Sequence, residues 1–250
     1  MLSLIIPTKN HGERVKSLLT AMASLPLQDV EVIVCDSSLP PLQLTAYPFP
    51  VTVVHCGDRS CPAAINQGVQ AAQGEEIMLL ADDVVLYPHT IPVARTLLDY
   101  CERDGATVGI LYHDSWDWPC HVFLVCAEFW IMKKTTFAKV SGYDEGYRHA
   151  YADLAFTAEA HQRGVHLVGF SGACLRHFDH HNRDTDQADA ERFHQAYPNK
   201  IVQIACGDSV IDPRSSILCP QLHPLNVAMT RHIESCFGPE ATLARGGVPA

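Results

Sequence analysis

The chain has 250 residues, of which 47% are hydrophobic, 8% aromatic and 18% charged. This length and composition suit a globular protein with a sizeable core, and they exclude a stapled mini-protein and a disordered chain. Its 18 basic and 28 acidic residues give a net charge of −10, so no general positive field exists to attract nucleic acid or anionic lipid. We expect no nucleic-acid partner, and any phosphate group that binds requires a local binding site.

The N-terminus and the cysteines both predict a cytoplasmic protein. The first apolar stretch is too short for a signal sequence and is followed at once by Pro7 and polar residues. No run approaches the roughly 20 apolar residues of a membrane span. The ten cysteines form no CxxC pair, and Cys35 and Cys126 lie within apolar stretches, which is typical of buried reduced thiols. We therefore expect neither a membrane span nor a disulfide framework.

The first half of the chain repeats a short apolar strand followed by a helix or crossover, which is the signature of a parallel sheet. The predicted strands cover residues 3–7, 31–35, 51–55 and 77–80. Apolar residues at helical spacing predict a helix over 15–22. Helix formers over 63–73, with Ser60 as cap and Gly74 as C-terminal stop, predict a second helix, and a third is predicted over 89–103. Four prolines between residues 40 and 50 predict an extended link rather than a helix.

After residue 107 the pattern changes to short strands of mixed direction. A predicted helix over 153–163 ends at Gly164, and the next strand covers 165–170. A polar, His-rich loop is predicted from residue 176 onwards. Beyond residue 206 the chain is punctuated by prolines, with one candidate helix over 225–237.

Acidic residues follow two of the predicted parallel strands. Asp36 ends the second strand, and Asp82 and Asp83 follow the fourth. Open parallel sheets bind their ligands at the carboxyl ends of strands. Neither GxGxxG after the first strand nor GxxxxGK[ST] anywhere is present, which excludes the familiar dinucleotide and P-loop devices. Carboxylates do not bind phosphate directly, but they can hold a divalent cation that does.

Four segments of the sequence resemble the family 2 glycosyltransferases, which use nucleotide-sugar donors and have the GT-A fold. They are SLIIPTKN, VEVIVCDSS, AINQGVQAAQGEEIMLLADDVVLYP and SGYDEGYRHAYADLAFTAEAHQRG. The resemblance implies a three-layer α/β fold with a mixed, mainly parallel sheet. It implies one GT-A domain over 1–205, with a nucleotide-sugar-binding half over 1–106 and an acceptor-binding half over 107–205, followed by a C-terminal extension over 206–250.

The resemblance also implies a nucleotide pocket. Asp36 would contact the base, because a carboxylate can accept the imide N–H of uracil. The alternative is an Asp that stabilises a turn beside Ser37 and Ser38. The other implied pocket residues are Pro7, Thr8 and Asn10 in the loop after the first strand, and Arg59 and Asn66 near the ribose and diphosphate.

The DxD motif of the family falls on LADDVVL, with Ala81 at its first acidic position and Asp83 at its last. Asp83 is thereby implied as a ligand of Mn²⁺ or Mg²⁺, and Asp82 is a candidate to compensate for Ala81 at the donor. The alternative is a pair of aspartates that merely ends a strand. His177 matches a histidine that completes the metal shell in some GT-A enzymes. Clustered histidines in a polar loop are often only solvated, which is the alternative for His177 and His180.

Asp153 is the general base that the resemblance implies. It would take the proton of an acceptor hydroxyl as this attacks the anomeric carbon, whereas the alternative is a first-turn Asp favoured by the helix dipole. The Glu that usually precedes the base is replaced by Ala152, which leaves acceptor specificity open. Trp116 and Trp118 are candidate platforms for an acceptor sugar, and Trp130 lies in an apolar run typical of a core.

These features predict an inverting glycosyltransferase that moves a sugar from a nucleotide-diphosphate donor to a saccharide or glycolipid hydroxyl. Surface polysaccharide or glycolipid synthesis is the common role of the family. The missing acids at Ala81 and Ala152 support an alternative, a catalytically weak or inactive GT-A-fold binding or scaffold protein. A metal hydrolase built on His177, His180 and His181 is a third hypothesis.

Overall fold

The computed structural model describes residues 1–103, 108–115, 129–165, 167–178, 187–197, 202–203 and 210–211. The strands of the first half are β1 (Leu2–Thr8), β2 (Val30–Asp36), β3 (Val51–His55), β4 (Glu76–Leu79) and β5 (Val84–Leu86). Those of the second half are β6 (Val108–Ser115), β7 (Trp130–Lys133), β8 (Leu167–His177), β9 (Val202–Gln203) and β10 (Val210–Ile211). The helices are α1 (Gly12–Met22), α2 (Cys61–Ala71), α3 (Thr90–Arg103), α4 (Lys134–Val140), α5 (Ala152–Gln162) and α6 (Gln187–Ala196).

The main sheet has the strand order β3-β2-β1-β4-β7-β6-β8-β5. Strands β1 to β4 are parallel to one another, β7 runs antiparallel to both β4 and β6, and β8 is parallel to β6. The short β5 pairs antiparallel with the last residues of β8. This arrangement confirms the mixed, mainly parallel α/β sheet, and strands from both predicted halves of the domain share it.

Helices cover both faces of the sheet, which makes three layers. On one face Ile5 of β1 packs in a core that includes α2 and α5; on the other, Leu4 and Ile6 pack with α1 and α3. Successive side chains of a strand point to opposite faces, so a strand between two helical layers is mostly apolar on both faces. Among the described helices, none combines the length and apolarity that a membrane crossing needs.

The elements of the first half lie close to their predicted positions. The predicted stripe of α1 is buried, at Val15, Leu18, Leu19 and Met22. Ser60 caps α2 by accepting the Ala63 N–H at 3.4 Å, and no helix interrupts the chain between β2 and β3. The prediction that Gly74 ends α2 is wrong, because the helix cap is Ala72. At Gly74 the backbone instead passes close to Met1, since an added Cβ would lie 2.5 Å from the Met1 carbonyl oxygen.

The second half departs further from the predictions. Strand β8 extends to His177, so the prediction of a loop from residue 176 is wrong for Arg176 and His177. Trp130 is fully buried and donates its indole N–H to the Tyr143 hydroxyl at 2.8 Å, which confirms it as core. Strand β5 and helices α4 and α6 were not predicted.

Several predicted features lie outside the described residues. They are Cys126, Trp116, Trp118, His180, His181 and the candidate helix over 225–237. Of the predicted C-terminal extension, only residues 210–211 are described. Where the structure describes cysteines, Cys35, Cys56 and Cys61 carry free thiols.

Substituting Gly68 tests how closely α2 approaches the sheet. A Cβ at this position would overlap the Cys35 sulfur and lie 2.9 Å from Ile5 Cγ2. We expect Gly68→Ala to lower the free energy of unfolding by about 1–3 kcal/mol, because overpacking outweighs the helix propensity gained. Urea unfolding measures this change. Gln70→Ala, at an exposed position of the same helix, is the control and should stay within about 0.5 kcal/mol; equal effects for both variants would contradict the close packing.

Candidate active site

The carboxyl ends of the parallel strands and the last residue of β8 meet at one edge of the sheet. This edge carries Thr8, Asp36 and the turn with Asp82 and Asp83 between β4 and β5. Residue Val84 of β5 pairs with His177 of β8, and the Phe178 N–H donates to the Asp83 carbonyl at 2.9 Å. The pairing of β5 with β8 thus brings His177 next to the two aspartates.

Asp82 is the more buried aspartate of the turn, with 9% of the residue exposed. Its Oδ2 accepts a hydrogen bond of 2.5 Å from the Thr8 hydroxyl and lies 3.3 Å from His11 Nδ1. Burial raises the pKa of Asp82, and the hydrogen bond from Thr8 and the nearby His11 only partly oppose this rise. Asp82 and Thr8, both predicted donor-site residues, are therefore in direct contact.

Asp83 faces a nitrogen group at each of its carboxylate oxygens. Oδ1 lies 3.1 Å from His177 Nε2, and Oδ2 lies 3.7 Å from Arg14 Nη1. Burial acts to raise the pKa of Asp83, but the hydrogen bond with His177 and the charges of His177 and Arg14 outweigh it. The pKa of Asp83 is consequently lowered, whereas that of its neighbour Asp82 is raised.

Asp83 and His177 are the two residues that the sequence predicted as metal ligands. Both side chains are partly buried, with 15% and 14% exposed. Among the described residues, no group of three His, Cys, Asp or Glu side chains could hold a metal ion. One carboxylate and one imidazole nevertheless form a donor set that suits Mn²⁺ when the remaining ligands come from phosphate oxygens and water.

Asp36 ends β2 and is almost completely buried. Its Oδ1 accepts the Ser38 N–H at 3.0 Å, its Oδ2 accepts the Leu42 N–H at 2.6 Å, and His55 Nδ1 lies 3.5 Å from Oδ2. The hydrogen bonds of the turn alternative are thus present. Each carboxylate oxygen has a second lone pair, and contact with a base stays a prediction.

The loop after β1 is held against the loop after β2. Asn10 has a left-handed backbone with φ of 61°, its N–H donates to Ser38 Oγ at 2.7 Å, and its Oδ1 accepts the Leu39 N–H at 3.3 Å. Pro7, the third predicted residue here, lies within β1 and pairs in register with Cys35. Asparagine adopts this left-handed conformation more readily than most other residues, and the two hydrogen bonds hold the loop in place.

Arg59 and Asn66 occupy different settings. The half-exposed Arg59 guanidinium lies 3.1 Å from the Gln67 amide oxygen, in the amide orientation that satisfies both groups. Asn66 donates to the Tyr143 carbonyl at 2.9 Å and to Glu145 Oε1 at 3.0 Å, and it accepts the Tyr143 N–H. The amide of Asn66 therefore fastens the turn after α4 to α2. Contacts of both residues with a donor stay predictions.

Asp153 is the second residue of α5 and is partly exposed. The residue before this helix, Tyr151, has a left-handed backbone with φ of 60°. Helix α6 holds the chain in front of it, because the buried Asp189 carboxylate accepts the N–H groups of Arg148 and His149 at 2.9 Å. Phe193 of α6 packs on the Tyr151 ring, with 5.4 Å between centroids.

Cys61 connects the aspartate turn with Asp153. Burial, and then the charges of Asp82 and Asp153, raise the pKa of the Cys61 thiol to about 12. The N–H of Cys61, the first residue of α2, donates to the Arg148 carbonyl at 3.1 Å. A thiol with this pKa is neutral at pH 7 and is no nucleophile. We name the sheet edge that carries Asp36, Asp82 and Asp83 the donor edge, and its forming one site with Asp153 stays a prediction.

The two alanines at expected acidic positions face apolar surroundings. Ala152 is buried in the core under α5, and Ala81 packs against the core under α1 and α3. A carboxylate that packed against these hydrophobic residues would lose hydrating water, which is unfavourable for a charged group. The missing acids thus agree with the local packing.

Sequence reasoning missed four residues of this edge, namely His11, Arg14, His55 and Cys61. His11 and Arg14 precede and begin α1, His55 ends β3, and Cys61 begins α2. A position at the carboxyl end of a parallel strand, or at the start of the next helix, was the signal that could have indicated them.

The sequence profile described as Glycosyl transferase family 2 matches residues 3–136, more than half of the chain. The matched part holds the aspartate turn, Asp36 and the loop after β1. The chain therefore belongs to glycosyl transferase family 2 and is an enzyme of the glycosyltransferase type. Among curated proteins, no sequence matches that of the chain significantly.

Solved structures share the fold at low sequence identity. The mannosyltransferase PcManGT from Pyrobaculum calidifontis, in complex with GDP-Man and Mn²⁺, has a TM-score of 0.60 at 14% identity, over 96% of this chain and 71% of its own. S. aureus TarS 1–349 in complex with UDP-GlcNAc has a TM-score of 0.56 at 15% identity, over 72% and 59%. S. aureus TarS has a TM-score of 0.55 at 14% identity, and the match covers 71% of this chain but only 36% of the TarS chain. These likenesses confirm the GT-A fold.

The opposite pKa shifts of Asp82 and Asp83 predict their order of titration. In the protein without divalent cations, carboxyl NMR should place the midpoint of Asp83 below the ordinary 3.8 and that of Asp82 above it. Asp83 then stabilises the fold above its ordinary pKa and loses this effect as the pH falls through its folded pKa. The pKa of Asp82 is raised, so this residue favours the fold at low pH and loses this effect as the pH rises through its folded pKa. His177→Gln should raise the midpoint of Asp83, while His194→Gln is the control; a midpoint of Asp83 above that of Asp82 would contradict the geometry.

Proposed function

We propose that the chain transfers a sugar from a nucleotide-diphosphate donor to an acceptor hydroxyl, with inversion and with the help of Mn²⁺ or Mg²⁺. One observation carries the proposal. Asp83 and His177 are 94 residues apart in sequence, yet Asp83 Oδ1 lies 3.1 Å from His177 Nε2 at the edge where the parallel strands end. Two partly buried side chains that suit a divalent cation, in a member of this family, support a site for a diphosphate.

Donor binding would use the residues around this pair. Asp36 would receive the base, with Pro7, Thr8 and Asn10 lining the same pocket. Arg59, Asn66 and Asp82 would lie towards the ribose and diphosphate. A cation at Asp83 and His177 would supply Lewis-acid stabilisation of the charge on the departing nucleotide diphosphate. The complexes of TarS with UDP-GlcNAc and of PcManGT with GDP-Man and Mn²⁺ support this class of donor.

Asp153 would be the general base of the transfer. Its carboxylate would accept the proton of the acceptor hydroxyl while the hydroxyl oxygen bonds to the anomeric carbon and the nucleotide diphosphate leaves. Attack from the face opposite to the leaving group inverts the anomeric centre. The partial exposure of Asp153 and the influence of its charge on Cys61 support a place beside the donor edge.

We extend the proposal to the organisation of the protein. Residues 1–106 would form the donor half and 107–205 the acceptor half of one domain, with 206–250 as an extension. The acceptor would be a saccharide or glycolipid, in surface polysaccharide or glycolipid synthesis in the cytoplasm. This part rests on the resemblance to the family alone.

A donor-binding protein without turnover is the second candidate, because Ala81 and Ala152 replace two acids of the family pattern. Such a protein would bind a nucleotide sugar and leave it intact. Ala152 is buried and Ala81 is partly buried, and neither side chain can hold a cation or accept a proton. The experiment below separates this candidate from a transferase.

Asp153→Asn tests the proposed base. Wild-type protein is incubated with UDP- and GDP-sugars, Mn²⁺ and a panel of saccharide acceptors, and nucleotide release is measured together with donor affinity by calorimetry. We expect Asp153→Asn to lower turnover by about 100-fold or more, because proton removal is lost, while donor affinity stays within about threefold. Asp99→Asn, at an exposed position of α3, is the matched control and should retain full turnover.

Each other outcome has a defined meaning. Donor binding without turnover by the wild type would favour the binding protein, and no donor binding with Mn²⁺ would contradict both candidates. Phosphoester hydrolysis that survives Asp83→Ala would support the metal hydrolase instead.

A further inference from the structure

Helix α1 presents two basic side chains to the aspartate turn. His11 stands at the N-cap and Arg14 three residues later, and side chains at this spacing lie on the same side of a helix. His11 approaches Asp82 and Arg14 approaches Asp83. The start of α1 thus places a counter-charge beside each carboxylate.

Arg14 occupies the side of Asp83 that His177 leaves open. The guanidinium nitrogen lies 3.7 Å from Oδ2, which is an ion-pair distance but too long for a hydrogen bond. The Arg14 side chain is 36% exposed, so the ion pair is weak and can separate at little cost. A divalent cation bound at Oδ2 would lie within a few ångströms of the guanidinium, and the two positive charges would repel each other.

A diphosphate changes this balance of charge. Its oxygens attract both the cation and the guanidinium, and an arginine fork matches the geometry of phosphate oxygens. Arg14 therefore has a favourable partner once a donor is present and an unfavourable one when a cation binds alone.

We propose that Arg14 is a donor-binding residue that pairs with Asp83 in the free protein and moves to the diphosphate when donor and cation bind. The proposal rests on the proposed function, since it needs a diphosphate at this edge. It follows that the cation alone binds weakly and that the cation and the nucleotide strengthen each other's binding.

The two lysines next to the start of α1 have partners away from Asp83. Lys9 pairs with Asp58 and Lys16 with Glu13. Arg14 is the basic side chain of α1 that faces Asp83, and its charge acts on Asp82 as well.

The test measures binding rather than turnover. Free Mn²⁺ is followed by EPR during titration of the wild type and of Arg14→Gln, with no nucleotide present. UDP and GDP affinities are then measured by calorimetry at saturating Mn²⁺. Arg95→Gln is the matched control, because the Arg95 side chain has similar exposure and its Nη2 lies 3.9 Å from Asp29 Oδ2 at the opposite edge of the sheet.

We expect Arg14→Gln to bind Mn²⁺ alone at least about threefold more tightly and the nucleoside diphosphate about tenfold more weakly. Arg14→Lys, which keeps the charge, should restore the weak binding of Mn²⁺ alone. Arg95→Gln should change neither affinity, and a thermal melt checks that every variant is folded.

The outcomes separate this inference from the proposed function. If the wild type binds no nucleotide with Mn²⁺, the proposed function fails and the inference fails with it. If the wild type binds UDP or GDP but Arg14→Gln leaves both affinities unchanged, or weakens both, only the inference is overturned.

Discussion

The antiparallel pairing of β5 with the end of β8 is the contact on which the candidate site depends. Residue Val84 stands opposite His177, so the imidazole comes to lie beside Asp83 although the two are 94 residues apart in sequence. Strand β4 ends at Leu79, and Asp82 and Asp83 lie in the turn between β4 and β5. One strand of three residues thus brings together two predicted metal ligands, one from each predicted half of the domain.

Charge at this edge is balanced locally rather than by the protein as a whole. The chain carries a net charge of −10, yet Asp82 meets Thr8 and His11, and Asp83 meets His177 and Arg14. Burial is the largest influence on both carboxyl groups. It prevails at Asp82, whereas at Asp83 hydrogen bonding and neighbouring charges together outweigh it, so the two pKa values shift in opposite directions. Under the proposed function, this local balance of charge would let an acidic protein accept an anionic donor.

The first half of the fold could be predicted because its signals are local. The stripe of α1 and the Ser60 cap follow from helical spacing and capping chemistry, and the strands are mostly apolar. Strand β5 and the extent of β8 could not be predicted, because three residues show no periodicity and the polar Arg176 and His177 resemble a loop. At the site, Asp83 and His177 follow from family motifs. The position of Arg14 at the start of the helix after β1 could indicate the right edge of the sheet, but its contact with Asp83 depends on how α1 lies against the sheet.

Helix α6 supports the site from a distance, since Asp189 takes up the N–H groups of Arg148 and His149, and Arg192 binds Asp144 in a bidentate ion pair. The stretch leading into Asp153 is therefore fixed by residues that come after the last strand of the sheet. A shortened protein that stopped at the end of β8 would keep all the residues named at the donor edge but lose this brace and the buried Phe193. Under the proposed function, donor recognition and acceptor activation would consequently need different lengths of this polypeptide.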